Sequence, residues 1–224
     1  MDLGLQGKYA VVAGGSRGIG KAIALELARE GADVVICSRN GAELTQTAIE
    51  INAATRQRVF PIVMDVTKTA EVNKTISKAA QKLGGLHILI NSAALPGGSP
   101  NAIGPIETVD DASLIYDFDV KYVGALRCSR AAIPFMKKEG WGRIVNISGG
   151  NARIAGNLSG GARNVSLVHL TKTLSDQLGR YGITVNCIHP GTTRTERTPA
   201  LLSKRTKQDG ITLQQGEKVD FGPE

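Results

Sequence analysis

The chain is 224 residues long, 42% hydrophobic and 21% charged, enough for one domain with a sizeable core and an ordinary globular balance. No uninterrupted apolar run is long enough to cross a bilayer, and the first eight residues lack the basic start and apolar core of a secretory signal, so no membrane partner is expected. Lys plus Arg outnumber Asp plus Glu by 27 to 20, a net charge of +7; the basic residues are scattered and aromatics few, which reads as a solvated basic surface and implies no nucleic-acid partner. Three widely spaced cysteines, Cys37, Cys128 and Cys187, fit a reducing, cytoplasmic setting better than a disulfide framework, and none stands in a Cys-x-x-Cys pair.

The first patterned stretch is an apolar run, Tyr9-Ala10-Val11-Val12, followed by Ala13-Gly14-Gly15-Ser16-Arg17-Gly18-Ile19-Gly20 and a helical pattern from Lys21. Glycine takes positive φ and brings no Cβ against a ligand. A helix N-terminus offers unpaired N–H groups to a phosphate. Gly14 then serves the turn, Gly18 the close approach of a pyrophosphate and Gly20 helix–strand packing. The spacing is Gly-x-x-x-Gly-x-Gly rather than the commoner Gly-x-Gly-x-x-Gly, and by itself it also fits a βα turn without a ligand.

Further strands are predicted at 33–37, 58–64, 86–91, 142–147 and 184–188, beside 10–13, with helices at 18–29, 42–54, 70–83, 112–138 and 165–180. Strand–helix alternation of this kind implies right-handed βαβ units. The expectation is an α/β fold, a doubly wound parallel sheet with helices on both faces, as one domain over residues 1–224. Ligands in such sheets gather at the carboxyl ends of the strands. Residues 96–105, rich in Gly and Pro, read as an excursion bordering a pocket or as a plain surface loop. Residues from about 192 to 224 read as an irregular substrate-side tail, with the C-terminal end of the fold curtailed. His87, His169 and His189 have no partner at metal-ligand spacing, so no metal site is expected.

Several landmarks fall in order: Gly14-x-x-x-Gly18-Ile19-Gly20, Asp65-Val66, Asn91-Ser92-Ala93-Ala94, Arg143-Ile144-Val145-Asn146-Ile147-Ser148, and Ile183-Thr184-Val185-Asn186 leading to Pro190-Gly191-x-x-x-Thr195. In these the sequence resembles the short-chain dehydrogenase/reductase family, over about residues 5–198. The resemblance implies a single Rossmann domain, a nicotinamide cofactor and oxidoreduction of a small-molecule carbonyl or hydroxyl substrate. It also implies a homodimer or homotetramer paired through the long fourth and fifth helices. By the same resemblance, Gly14, Gly18 and Gly20, in one loop with Ser16, Arg17 and Ile19, hold the pyrophosphate. Asp65 and Val66 contact adenine, Asn91 and Ala93 line the cofactor, and Pro190, Gly191, Thr193 and Thr195 surround the nicotinamide amide. Where NAD-preferring members carry an acidic residue, this chain has Ser38 followed by Arg39. With Arg17 these form a candidate clamp for a 2′-phosphate, which guanidinium groups suit geometrically. NADP(H) is therefore the expected cofactor, with NAD(H) possible; the other reading makes Arg17 and Arg39 solvated surface residues.

The catalytic half departs from the family. Its Tyr-x-x-x-Lys falls at Gly160 and Asn164, its serine at Gly149 and its helix-four asparagine at Lys121, and no tyrosine occurs between Trp141 and Tyr181. Acid–base assistance of the kind lost is worth about 10²–10⁴ in rate. Ser148 and Asn164 are candidates for a replacement site, with Asn151, Arg163 and Lys121 beside them; the alternative makes Asn151 and Arg163 loop residues and Lys121 a surface cation. Two functions stay open: an oxidoreductase with an altered proton donor, and a catalytically impaired dinucleotide binder such as a redox sensor or partner subunit.

Overall fold

The computed structural model describes residues 2–222; Met1, Pro223 and Glu224 lie outside the described residues. Strands β1 (Tyr9–Ala13), β2 (Asp33–Ser38), β3 (Val59–Val63), β4 (Ile88–Asn91), β5 (Gly142–Ile147) and β6 (Ile183–Ile188) form one sheet. Their order is β3-β2-β1-β4-β5-β6 and every pairing is parallel. The order reverses between β1 and β4, so the loops leaving those two strands part and open a crevice at their carboxyl ends.

Alternate residues of the central strands face opposite layers and both layers are covered. Val11 and Ala13 of β1, with Val35 and Cys37 of β2, enter the core beneath α3 (Thr69–Leu83) and α5 (Gly124–Glu139). Ala10, Val12, Val34 and Ile36 enter the other core, under α1 (Gly18–Arg29) and α2 (Gly41–Thr55). This double burial is why the strands read as continuous apolar runs. The edge strand β6 differs: Ile183 and Val185 are buried while Thr184, Asn186 and Ile188 are exposed.

Three elements depart from the sequence reading. The helix expected at 112–138 is α4 (Asp111–Phe118) and α5 joined by a π turn, Asp119–Val123. The helix expected at 165–180 is α6, Leu158–Leu178, beginning seven residues earlier. Its start was hidden by Gly160 and Gly161, which are poor helix formers. Asn157 nevertheless caps it, the side-chain oxygen accepting from the Gly160 N–H at 2.6 Å. The tail expected to be irregular holds α7 (Thr198–Asp209) and α8 (Leu213–Phe221). The signals were present: a proline in the first turn of α7, Gly210 ending it at positive φ, and a capping box between Thr212 and Gln215.

Candidate functional site

The crevice between the β1 and β4 loops is a cleft of about 800 Å³. Its floor is the glycine turn. Gly14 has φ +85°, and a Cβ there would lie 2.6 Å from the Ala93 nitrogen, so only glycine lets the two loops touch. A Cβ on Gly20 would lie 2.0 Å from the Gly14 carbonyl oxygen, which fixes α1 tightly against the turn. Gly18, at φ +56°, directs its N–H into the cleft entrance, where the Glu196 carboxylate accepts it at 3.0 Å. The N-terminus of α1 thus already holds an anionic oxygen, and the floor around it is bare of side chains. Both features suit a diphosphate.

Of the residues expected to bind a cofactor, Gly14, Ser16, Arg17, Gly18, Ile19 and Gly20 line the cleft from the first loop. Ser38, Arg39, Asp65 and Val66 line the end toward β2 and β3. Ala93, Gly191, Thr193 and Thr195 line the opposite wall. Asn91 does not: its side chain turns inward, the amide nitrogen donating to Asn146 Oδ1 at 2.8 Å and Ser129 Oγ at 3.2 Å. Pro190 and Asn164 also lie outside the lining, whereas Ser148 is in it.

At the β2 end, Arg39 Nη1 donates to the Tyr116 hydroxyl at 2.9 Å. Arg17 lies 3.7 Å from the carboxylate of Glu43, which also accepts from Ser16 Oγ at 2.9 Å. Glu43, in the first turn of α2, was missed by the sequence reading because it lies outside every family motif. Asp65 accepts from the Thr67 N–H and hydroxyl. Burial pushes its carboxyl up, but those bonds, with Arg39 and Lys68, hold it below the ordinary value.

At the other end the departures from the family pattern pack against one another. A Cβ on Gly149 would lie 2.7 Å from Asn164 Nδ2, so the amide fills room that a serine would need. A Cβ on Gly160 would lie 2.8 Å from Asn151 Nδ2. Asn164 is buried, and its Oδ1 has no hydrogen-bond partner among the described residues. Ser148 Oγ donates to the Asn164 carbonyl at 3.1 Å.

Lys121 and Arg163 correct the plainer expectation for them. Arg163 lies on α6 with only 5% of its surface exposed, and it is an ion-pair partner of Asp117 at 3.5 Å. Asp117 also accepts from the Ser99 N–H and hydroxyl and from the Ser159 hydroxyl. Burial pushes its carboxyl up, and the Ser159 and Ser99 bonds, with Arg163, more than reverse that. This buried cluster ties the 96–99 loop to α4 and α6. Lys121 is 8% exposed, lines the cleft and donates from Nζ to the Ser148 carbonyl at 2.8 Å. Arg197, also unforeseen, lines the cleft mouth with a buried Nη1 that lacks a hydrogen-bond partner among the described residues.

A doubly wound parallel sheet whose glycine-floored cleft lies across the strand-order switch defines a Rossmann-type α/β protein. The sequence model described as short chain dehydrogenase matches residues 8–206, and the chain belongs to that family. It is 31% identical over 211 residues to the D-beta-hydroxybutyrate dehydrogenase of Rhizobium meliloti (strain 1021), covering 93% of this chain and 80% of that protein. It is 33% identical over 239 residues to the chloroplastic NADPH-dependent aldehyde reductase 2 of Arabidopsis thaliana, covering 98% and 86%. Among solved structures, L-sorbose reductase from Gluconobacter frateurii complexed with NADPH and L-sorbose superposes with a TM-score of 0.88 at 28% identity, covering 96% of this chain and 81% of that one. An NAD+-bound xylitol dehydrogenase superposes with a TM-score of 0.79 at 26% identity, covering 84% and 71%.

Proposed function

We propose that the protein is an NADP(H)-dependent oxidoreductase that interconverts a carbonyl and a hydroxyl group on a small molecule, using a proton donor other than the family tyrosine. The observation that carries this reading is the cleft floor of Gly14, Gly18 and Gly20 at the N-terminus of α1, where the Gly18 N–H already meets a carboxylate oxygen. Gly14, Ser16, Gly18, Ile19 and Gly20 hold the diphosphate, Asp65 and Val66 the adenine, and Ala93, Gly191, Thr193 and Thr195 the nicotinamide end, with Asn91 and Pro190 supporting them from behind. Arg17, Ser38 and Arg39 receive the 2′-phosphate. The cofactor supplies a hydride; the chain binds, orients and supplies the proton.

The relatives support the nicotinamide class, one named for NADPH and one structure holding NAD+. The choice of NADP(H) rests on Arg17 and Arg39. A homodimer or homotetramer in the cytoplasm completes the proposal, supported by exposed Ile115 on α4 and Val165 and Val168 on α6, and by free cysteines. Calorimetric titration with NADPH and NADH tests it: NADPH should bind at least tenfold more tightly, and absence of binding by either dinucleotide overturns the reading. Gly160 and Asn164 favour a second reading, a non-catalytic dinucleotide binder, which predicts binding with no turnover of any carbonyl.

A further inference from the structure

Lys121 lies in the π turn between α4 and α5, a helix irregularity that recurs at functional sites. Val120 and Lys121 both line the cleft. The ammonium is anchored to the Ser148 carbonyl at 2.8 Å, which leaves two of its three N–H bonds uncommitted by that contact. Sheet order separates the cleft's other ionisable groups from this end. Arg17, Cys37, Arg39, Glu43 and Asp65 come from β2 and from the loops and helices that follow β1, β2 and β3, away from β5. Arginine does not release protons at ordinary pH, which removes Arg197 as a donor. The Ser148 hydroxyl proton is engaged with the Asn164 carbonyl. The family's tyrosine position is Gly160, whose Cβ space Asn151 occupies.

We propose that Lys121 Nζ is the proton donor: it protonates the substrate's carbonyl oxygen during reduction and accepts that proton back during oxidation. The assignment rests on the oxidoreductase reading above. As hydride from the reduced nicotinamide adds to the carbonyl carbon, the C=O π pair moves to oxygen. An N–H bond of Lys121 breaks as the O–H bond forms. Lys121 is left as a neutral amine and regains its proton from water; the nicotinamide leaves oxidised by two electrons.

Lys121 is also tuned for exchange near neutral pH. Burial first, and then the Arg163 guanidinium on α6, push its ammonium down to about 8, with Cys187 on β6 acting the other way. Asp117, one turn earlier, is occupied with Arg163, and Asp119 pairs with Arg127 at 2.8 Å. No carboxylate among the described residues forms an ion pair with Lys121 to raise it again.

Four readouts test the assignment. In cofactor-free protein labelled with ¹³C-lysine, the resonance lost in Lys121→Met should titrate with a midpoint near 8; a midpoint at the ordinary lysine value overturns the proposal. With NADPH and either 4-nitrobenzaldehyde or ethyl acetoacetate, kcat/KM for reduction should be flat at low pH and fall through the same midpoint. Lys121→Met and Lys121→Arg should both lose about 10²–10⁴ in kcat while NADPH affinity changes less than threefold. Arginine keeps the charge but not the exchangeable proton, so loss in Lys121→Arg separates proton transfer from electrostatics. Ethylamine should restore rate to Lys121→Ala, which a purely structural lysine would not allow. Turnover that survives in Lys121→Met overturns the assignment alone. A wild-type protein that binds NADPH and reduces neither carbonyl also overturns it and leaves the cofactor reading standing; one that binds no dinucleotide overturns both.

Discussion

The Glu196 carboxylate accepts a hydrogen bond from the Gly18 backbone N–H at 3.0 Å, so a side chain from the loop after β6 caps the first turn of α1. On the proposed reading a diphosphate oxygen takes that position, and a dinucleotide would have to displace the carboxylate. Glu196→Gln removes a competing negative charge while keeping an acceptor of the same shape. NADPH and NADH should both bind about three- to tenfold more tightly to the variant, since charges at a helix N-terminus are worth about 0.3–1 kcal/mol, more when partly buried. Equal affinities by calorimetry would show that Glu196 does not compete.

The two guanidinium groups proposed to receive the 2′-phosphate sit in unequal settings. Arg17 lies 3.7 Å from the Glu43 carboxylate, whereas Arg39 donates to a neutral hydroxyl, that of Tyr116, and feels Asp65 only through space. Arg39→Ala should therefore weaken NADPH by tenfold or more, as expected for loss of a charge-assisted bond worth about 1.5–3 kcal/mol. NADH should change less than threefold. Glu43→Gln should shift preference further toward NADPH. Parallel titrations of the three proteins check both.

The glycine turn, the six strands and the cleft position were legible because each is written in local pattern: apolar runs, glycines and strand–helix alternation. The proton-handling end was not legible, because it is made by contacts between distant segments. The π turn that carries buried Lys121 packs against α6, whose start at Leu158 is masked by its own glycines. Asn151 filling the space beside Gly160 joins residues nine apart through a turn that no period describes. Glu43 and Arg197 reach the cleft through tertiary placement alone.

Restoring the family tyrosine is a packing problem before it is a chemical one. Gly160→Tyr alone drives a side chain against Asn151 and Asn157 and should cost about 1–3 kcal/mol, the usual penalty for overpacking. Adding Asn151→Ala vacates the Asn151 side of that space and should recover part of the loss, the Asn157 contacts remaining. Adding Asn164→Lys then rebuilds the family pair, and NADPH-dependent reduction of 4-nitrobenzaldehyde should exceed that of wild type. Urea unfolding of the single, double and triple variants checks the order.

Asp117 joins three segments at once, and it is the only partner that neutralises buried Arg163 in an ion pair among the described residues. Asp117→Ala leaves that guanidinium uncompensated and should destabilise the fold by about 3–5 kcal/mol. The loop that Ser99 anchors should loosen with it, read as faster amide exchange at Ser99.

The Lys121 ammonium gives a pH signature independent of catalysis. Its value in the folded chain is lowered to about 8, below the roughly 10.4 of an unfolded lysine. Between those values the unfolded state binds more protons, so stability rises with pH there. Below about 8 both states carry the proton and the full cost of burying the charge is present; it is relieved as pH climbs toward 10. Lys121→Met abolishes the effect. The difference in unfolding free energy between Lys121→Met and wild type should therefore shift by roughly 1–3 kcal/mol in favour of wild type between pH 7.5 and pH 10. Urea melts at those two pH values measure it, and parallel pH dependence in the two proteins would place the Lys121 charge in water rather than in the cleft wall.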